Sequence, residues 1–157
     1  MSNGSNPRVY LDTNVFIVLV EGEAERADII RRLFDALRRR PDSAVTSELT
    51  LGEVLAPPRR KGALELHVKR RIYLDLIVWS GFIELVPVGR DLLIETADLR
   101  HVSRHKLPDA VHVVSAIRSR CTYFLSNDVD GKRVPAHMQW VRPDEQGVAV
   151  VLEALRA

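Results

Sequence analysis

Short β-favouring runs alternate along this chain with amphipathic helical segments, and this alternation limits the possible folds more than any other feature. Runs such as 8–11 and 122–125 are too short for helices, and each leads into polar residues. Segments such as 23–40 carry apolar residues at helical spacing with charges between them. Parallel strands need crossover connections, so this alternation predicts a mostly parallel sheet with helices on both faces.

The pattern assigns most of the chain to regular elements. The predicted strands are 8–11, 44–46, 82–88, 122–125 and 139–141. The predicted helices are 15–20, 23–40, 48–56, 63–80, 91–105, 108–119 and 143–157. The fold class is therefore α/β, a three-layer sandwich with a four- or five-stranded sheet. We expect residues 1–7 to form a flexible tail, 8–157 to form a single domain, and 57–62 to form its most mobile connection.

Composition narrows the environment and the partners. The one cysteine, Cys121, allows no internal disulfide, is expected to be buried, and agrees with a reducing cytoplasm. No apolar run approaches the roughly 20 residues that span a bilayer, so no membrane association is expected. The net charge is only +2, but basic clusters occur at 38–40, 59–61 and 69–71. These clusters either contact nucleic-acid phosphates or are ordinary solvated helix faces.

Acidic residues follow or flank the predicted strands. Asp12, Asp109 and Asp128 are expected near the carboxyl edge of the sheet, and the helix carrying Glu53 begins there. Each has a structural alternative: a helix cap, a helix-dipole partner, a turn residue and an exposed helical glutamate, respectively. Carboxylates gathered at one edge would repel one another unless a divalent cation neutralised them. Oxygen ligands favour Mg²⁺ or Mn²⁺.

The residues around these acids form recognisable motifs. They are Val9-Tyr10-Leu11-Asp12-Thr13-Asn14, Ser47-Glu48-Leu49-Thr50-Leu51-Gly52-Glu53-Val54, Leu107-Pro108-Asp109-Ala110-Val111-His112 and Phe124-Leu125-Ser126-Asn127-Asp128. In this order and at these separations they are similar to the motifs of PIN-domain nucleases. Within that family the chain resembles the VapC-type toxins of toxin–antitoxin pairs, over residues 9–140.

The resemblance implies roles for particular residues. Asp12 and Asp109 would bind Mg²⁺ or Mn²⁺ directly. Glu53 and Asp128 would bind it through water, hold a second ion or position the nucleophile. Thr13 and Ser126 would contact these acids and hold them in place without binding the ion themselves. Asp130 is either a further supporting residue or the fourth acid in place of Asp128.

The resemblance also implies an activity and partners. The chain would be a metal-dependent endoribonuclease that leaves 5′-phosphate and 3′-hydroxyl ends through an activated water. As a toxin it would act in the cytoplasm, bind a cognate antitoxin and form a homodimer. The alternatives are a PIN nuclease of RNA processing and a non-catalytic module that binds RNA or protein.

Other chemistries fit the sequence less well. His101 and His105 have zinc-like spacing but lack a third ligand, so both are interpreted as surface residues. For His112 the first interpretation is a packing residue, and the second is a residue that contacts the substrate. A serine triad at Ser126 lacks a nucleophile elbow. Asn14 stands where an aspartyl-phosphate phosphatase needs a second acid, and the calcium-loop pattern that begins at Asp128 lacks its downstream ligands.

Overall fold

A computed structural model describes residues 6–57, 64–128 and 134–156 of the chain. The strands are β1 (Val9–Leu11), β2 (Ala44–Ser47), β3 (Ile83–Val86), β4 (Tyr123–Leu125) and β5 (Gln139–Val141). The helices are α1 (Thr13–Glu21), α2 (Ala24–Arg38), α3 (Leu49–Val54), α4 (Leu66–Ile77), α5 (Arg90–Val102), α6 (Leu107–Arg118) and α7 (Glu145–Arg156).

Within the described residues the strands form one five-stranded sheet in the order β3-β2-β1-β4-β5, with every neighbouring pair parallel. The strand β1 is central, and the chain builds outward from it first through β2 and β3 and then through β4 and β5. The carboxyl ends of β1 and β4 therefore flank the point where the direction of winding changes. Open parallel sheets place their ligand sites at such a point.

The two faces of the sheet pack against different helices. Side chains alternate along β1, so Val9 and Leu11 enter one apolar cluster and Tyr10 enters the other. Helices α1, α2, α4 and α7 cover the first face, and α5 and α6 cover the second. This confirms the predicted three-layer α/β fold, with five strands among the described residues.

Several observed elements are shorter than the sequence predicts, whereas α1 and β2 are longer. The helix predicted over 63–80 is observed as Leu66–Ile77, and Gly81 follows with a φ of 79°, a conformation that favours glycine. The strand predicted over 82–88 ends at Val86, because Pro87 has no N–H for a continued ladder. Cys121 is fully buried, as predicted.

Several predictions fall wholly or partly outside the described residues. They concern the tail at 1–7, the connection at 57–62, the basic cluster at 59–61 and Asp130. Of the helices in the described ranges, none combines the length and apolar character needed to cross a bilayer.

The two described basic clusters lie on different parts of the fold, one at the end of α2 and the other in α4. Residues 38–40 precede β2 and so lie towards the amino ends of the strands. Lys69 is buried, and its Nζ donates to the carbonyl oxygen of Ala56 over 3.2 Å. Arg70 and Arg71 stay exposed, and the contact of the basic clusters with phosphates remains a prediction.

Candidate active site

Asp12 lies where the central strand ends, at the carboxyl edge of the sheet. Its backbone N–H donates to the Leu125 carbonyl oxygen of β4 over 3.0 Å, so two strands fix its position. Oδ1 accepts from the Thr13 N–H over 2.9 Å, and Oδ2 accepts from Ser126 Oγ over 2.6 Å. The side chain is only 4% exposed, and burial of a carboxylate is costly without such partners. Asp12 therefore caps α1 and also faces the pocket described below.

Glu53 reaches the same edge from α3, which begins directly after β2. Ser47 Oγ accepts from the Leu49 N–H over 3.1 Å at the start of this helix. Glu53 Oε1 accepts from Thr13 Oγ1 over 2.8 Å and lies 2.5 Å from His112 Nε2. Burial opposes ionisation of this carboxyl group, but the hydrogen bonds and the attraction of His112 outweigh it and lower the pKa of Glu53.

His112 is both a buried residue and a residue of the site. It follows Asp109 by three positions on α6, so the two side chains share one face of that helix. Its ring is held on both nitrogens: Nδ1 lies 2.7 Å from the Tyr10 hydroxyl, and Nε2 contacts Glu53 and lies 3.7 Å from Asp12 Oδ1. The prediction that His112 packs in the interior is confirmed, but the same residue also contacts two of the candidate acids.

These side chains line one polar pocket of about 340 Å³. Its lining residues are Asp12, Thr13, Asn14, Glu53, Asp109, His112, Asn127 and Asp128. All four predicted acids are therefore brought together around a single pocket. Asp109 is half-buried and Asp128 is exposed at its rim.

Ser126 links the buried and the exposed acids of the pocket. Its hydroxyl donates to Asp12 and accepts from the Asp128 N–H, over 2.6 Å and 3.2 Å. A Ser–His–Asp triad requires a histidine to take the serine proton. Here the hydroxyl proton is directed to a carboxylate, so Ser126 supports the acids and does not form a triad.

The pocket has the chemistry of a divalent-metal site without a compact ligand cluster. Its lining offers carboxylate and amide oxygens, which hard cations prefer. Among residues 6–57, 64–128 and 134–156, no three His, Cys, Asp or Glu side chains are grouped closely enough to hold an ion together. Mg²⁺ is usually held by one or two carboxylates with several waters, so this spacing fits a hydrated ion contacting a minority of the acids.

The zinc alternative at the histidine pair is not supported. His101 lies in the last turn of α5, whereas His105 lies beyond its end, so the two do not share a helix face. His105 is also buried, with Nδ1 2.7 Å from Ser103 Oγ, and its interpretation as a surface residue is wrong. The sequence suggested a continuous helix here, but α5 ends at Val102.

Two pocket residues, Asn14 and Asn127, and the buried partner of His112, Tyr10, were not predicted as members of the site. Asn14 and Asn127 come just after Asp12 and Ser126 within the motifs, so their position after a strand end could have identified them as members of the site. The contact of Tyr10 with His112 had no such signal, because the two residues are 102 positions apart.

Comparisons with known proteins agree with this geometry. The family model described as PIN domain matches residues 9–136. No curated protein sequence matches the chain significantly. A chain of a toxin–antitoxin complex from Klebsiella pneumoniae is similar, with 22% identity, a TM-score of 0.62, and coverage of 88% of this chain and 98% of that one.

A second solved structure has the same fold. It is VapBC2 from Rickettsia felis, bound to a DNA fragment from its promoter, with 15% identity and a TM-score of 0.60. The match covers 85% of this chain and 97% of that one. At these identities the likeness establishes the fold. The family model spans most of the chain and includes every described acid of the pocket, so the chain belongs to the PIN domain family.

Proposed function

We propose that this protein is a metal-dependent endoribonuclease and the toxin of a toxin–antitoxin pair. The observation that carries the proposal is the convergence of Asp12, Glu53, Asp109 and Asp128 on one pocket in a chain of the PIN domain family. Carboxylates so arranged repel one another and favour binding of a divalent cation. The oxygen-rich lining suits Mg²⁺ or Mn²⁺. The enzyme would act on RNA in the cytoplasm.

The reaction would be hydrolysis of an RNA phosphodiester. When bound, the ion lowers the pKa of water and stabilises charge on the phosphate. Asp12 and Asp109 would hold it, with the Asp12 carboxylate kept in place by Thr13 and Ser126. Glu53 is ionised and half-buried, so it can orient a water by accepting one of its hydrogens.

The bond changes follow from in-line attack on phosphorus. The water oxygen forms a bond to phosphorus while the bond to the 3′ oxygen breaks. The attacking water gives up one proton and the leaving oxygen takes up one, which leaves a 3′-hydroxyl on one product and a 5′-phosphate on the other. Asp128 lies at the exposed rim of the pocket and would position the ion or the water from there. Asp130 stays the alternative fourth acid.

Substrate phosphates would meet basic side chains near the entrance of α6. Lys106 and Arg104 are exposed and precede Asp109 by a few residues, on the segment that leads to the carboxyl edge. Contacts of this kind give affinity that falls with salt. Single-stranded or flexible RNA fits the open pocket, since a rigid duplex does not expose its backbone to a small concave site in the same way.

Two similar structures support the toxin assignment, a toxin–antitoxin complex and VapBC2. An antitoxin would block the pocket with a basic side chain and cover neighbouring helices. Exposed apolar residues on and after α4, among them Leu66, Ile72 and Trp79, offer surface for the antitoxin or for a homodimer.

The test is cleavage of single-stranded RNA by purified protein in Mn²⁺. Asp12→Asn and chelation should each abolish cleavage, whereas Asp98→Asn, an exposed acid of α5 outside the pocket, should leave it unchanged. Activity that persists in Asp12→Asn would refute the assignment. A protein that binds RNA and Mn²⁺ without cleaving would favour the non-catalytic module, which the wide spacing of the acids also permits.

Growth on induced expression tests the toxin role separately. Wild type should arrest growth, and co-expression of the adjacent open reading frame should relieve the arrest. Asp12→Asn should grow normally. Cleavage in vitro without growth arrest would favour a nuclease of RNA processing.

A further inference from the structure

A buried hydrogen-bonded chain runs from β1 through α6 to α3 behind the pocket. The Tyr10 hydroxyl lies 2.7 Å from His112 Nδ1, and His112 Nε2 lies 2.5 Å from Glu53 Oε1. Tyr10 is fully buried and His112 is 1% exposed, so water does not compete for these contacts. Glu53 and His112 line the pocket and Tyr10 lies behind His112, and neither Tyr10 nor His112 has so far been given a part in the reaction.

The direction of the chain at Glu53 is fixed by charge. A carboxylate can only accept a hydrogen bond, so the 2.5 Å contact with Glu53 Oε1 places the hydrogen on His112 Nε2. The Tyr10 hydroxyl is the neighbour of the other ring nitrogen, Nδ1, over 2.7 Å. Each ring nitrogen of His112 thus has a defined neighbour.

The ring of Tyr10 is itself held rigidly. It stacks on Phe124 of β4 with centroids 5.0 Å apart and planes at 14°, and it meets the edge of the His112 ring at 5.9 Å and 68°. A histidine held at one nitrogen can still rotate or flip, whereas one held at both nitrogens has a fixed plane. Outer partners of this kind orient the groups that act on a metal or a water.

We propose that Tyr10 is a positioning residue, which acts through His112 to orient the Glu53 carboxylate in the pocket. Thr13 Oγ1 and His112 Nε2 both contact Oε1, so this pair holds one oxygen of a carboxylate that lines the pocket. The role given to Glu53 rests on the proposed function. The orientation of His112 by Tyr10 can be measured without it.

The first experiment measures the protonation and the environment of the His112 imidazole directly, in metal-free protein. With ¹⁵N-labelled histidine, long-range ¹H–¹⁵N spectra should show His112 with a protonated Nε2 and a single ring environment. Tyr10→Phe should shift the Nδ1 resonance or broaden it by exchange. Unchanged His112 resonances in Tyr10→Phe would overturn the proposal, whether or not the protein cleaves RNA.

The second experiment is a double-mutant cycle on Mn²⁺ affinity, measured by calorimetry without RNA. Tyr10→Phe should weaken Mn²⁺ binding by about 10-fold or more, the usual effect of removing an outer partner. His112→Gln keeps an N–H donor near the Nε2 position but cannot reach Tyr10. In the His112→Gln background, Tyr10→Phe should then change affinity by less than about twofold, because the two residues act in series.

Tyr73→Phe is the matched control. Tyr73 is also fully buried, and its hydroxyl donates over 2.5 Å to Glu21, outside the pocket. It should lower thermal stability about as much as Tyr10→Phe while leaving Mn²⁺ affinity unchanged. Equal effects of Tyr10→Phe on Mn²⁺ binding in both backgrounds, or an equal loss in Tyr73→Phe, would show a merely structural role.

The two proposals fail in different ways. If wild type cleaves no RNA but the spectra and the cycle behave as expected, the nuclease assignment is wrong and the positioning role stands. If wild type cleaves RNA in Mn²⁺ and Tyr10→Phe matches its kcat, KM and spectra, the positioning role is wrong and the nuclease assignment stands.

Discussion

Ser126 Oγ donates a hydrogen bond of 2.6 Å to Asp12 Oδ2, which joins two residues 114 positions apart in the chain. The same oxygen accepts from the Asp128 N–H. Asp12 follows β1 and Ser126 follows β4, and these strands are neighbours in register. Parallel pairing alone therefore brings the serine beside the buried acid, and the hydroxyl stabilises a charge that burial would otherwise make costly.

Ser126→Ala should destabilise the protein more than loss of an ordinary serine bond. The hydrogen bond is buried and its acceptor is a carboxylate, so we expect the free energy of unfolding in urea to fall by about 1.5–3 kcal/mol. Ser43→Ala is the control, since Ser43 is equally buried and donates over 2.7 Å to the neutral Arg40 carbonyl oxygen. That loss should be about 1 kcal/mol. Equal losses in the two variants would contradict a charge-stabilising role.

Divalent metal should stabilise the folded protein through Asp12. A ligand present at 100 times its Kd stabilises the state that binds it by about 2.7 kcal/mol, so Mn²⁺ should raise the Tm of wild type and EDTA should reverse the rise. In Asp12→Asn the rise should vanish, and in Asp98→Asn it should persist. A Tm that responds to Mn²⁺ equally in all three proteins would place the ion elsewhere.

The parts of the site that follow from strand ends could be predicted from the sequence. Asp12 and Asp128 come after short apolar runs, and Asp109 follows a proline at a helix start. In a parallel sheet these positions share one edge, whatever the details of packing. The same logic predicted the three layers and the parallel strands, since both follow from the alternation of strands and helices.

The parts that depend on side-chain packing could not be predicted. The contact of His112 with Glu53 joins residues 59 positions apart, and its formation depends on how α6 and α3 approach across the sheet edge. Burial of Lys69 and His105 likewise depends on tertiary contacts that override their polar character. A single sequence carries no signal for the contact of His112 with Glu53 or for the burial of Lys69 and His105, because the residue types alone fit an exposed surface equally well.

Two helical glycines should respond oppositely to alanine. A Cβ on Gly52 of α3 meets nothing within 4 Å, so Gly52→Ala should stabilise by about 0.4–1 kcal/mol through lower entropy of the unfolded chain. A Cβ on Gly147 of α7 would lie 2.0 Å from the Arg142 carbonyl oxygen, so Gly147→Ala must displace backbone and should destabilise. Urea unfolding measures both. The prediction is wrong if the two changes have the same sign.

Stability below neutral pH should depend on Glu53. Burial acts to raise the pKa of this carboxyl group, but its contacts with His112 and Thr13 prevail, so the folded pKa lies below the unfolded value of about 4.3. A group with a depressed folded pKa contributes stability above the unfolded pKa and loses it as pH falls through the folded pKa. The stability advantage of wild type over Glu53→Gln should therefore be constant above about pH 5 and shrink towards pH 3.

The salt dependence of stability distinguishes the contribution of Glu53 from that of a surface ion pair. Glu95 also has a lowered pKa, first because Arg118 donates two hydrogen bonds of 2.9 Å to it, but both side chains are exposed. Surface pairs are screened by salt and half-buried ones much less so. In 1 M NaCl the acid-dependent difference between wild type and Glu95→Gln should disappear, whereas that of Glu53→Gln should remain. Urea unfolding between pH 3 and pH 7 at both salt concentrations gives the comparison, and a difference for Glu53→Gln that salt removes would show that its contacts are solvent-exposed.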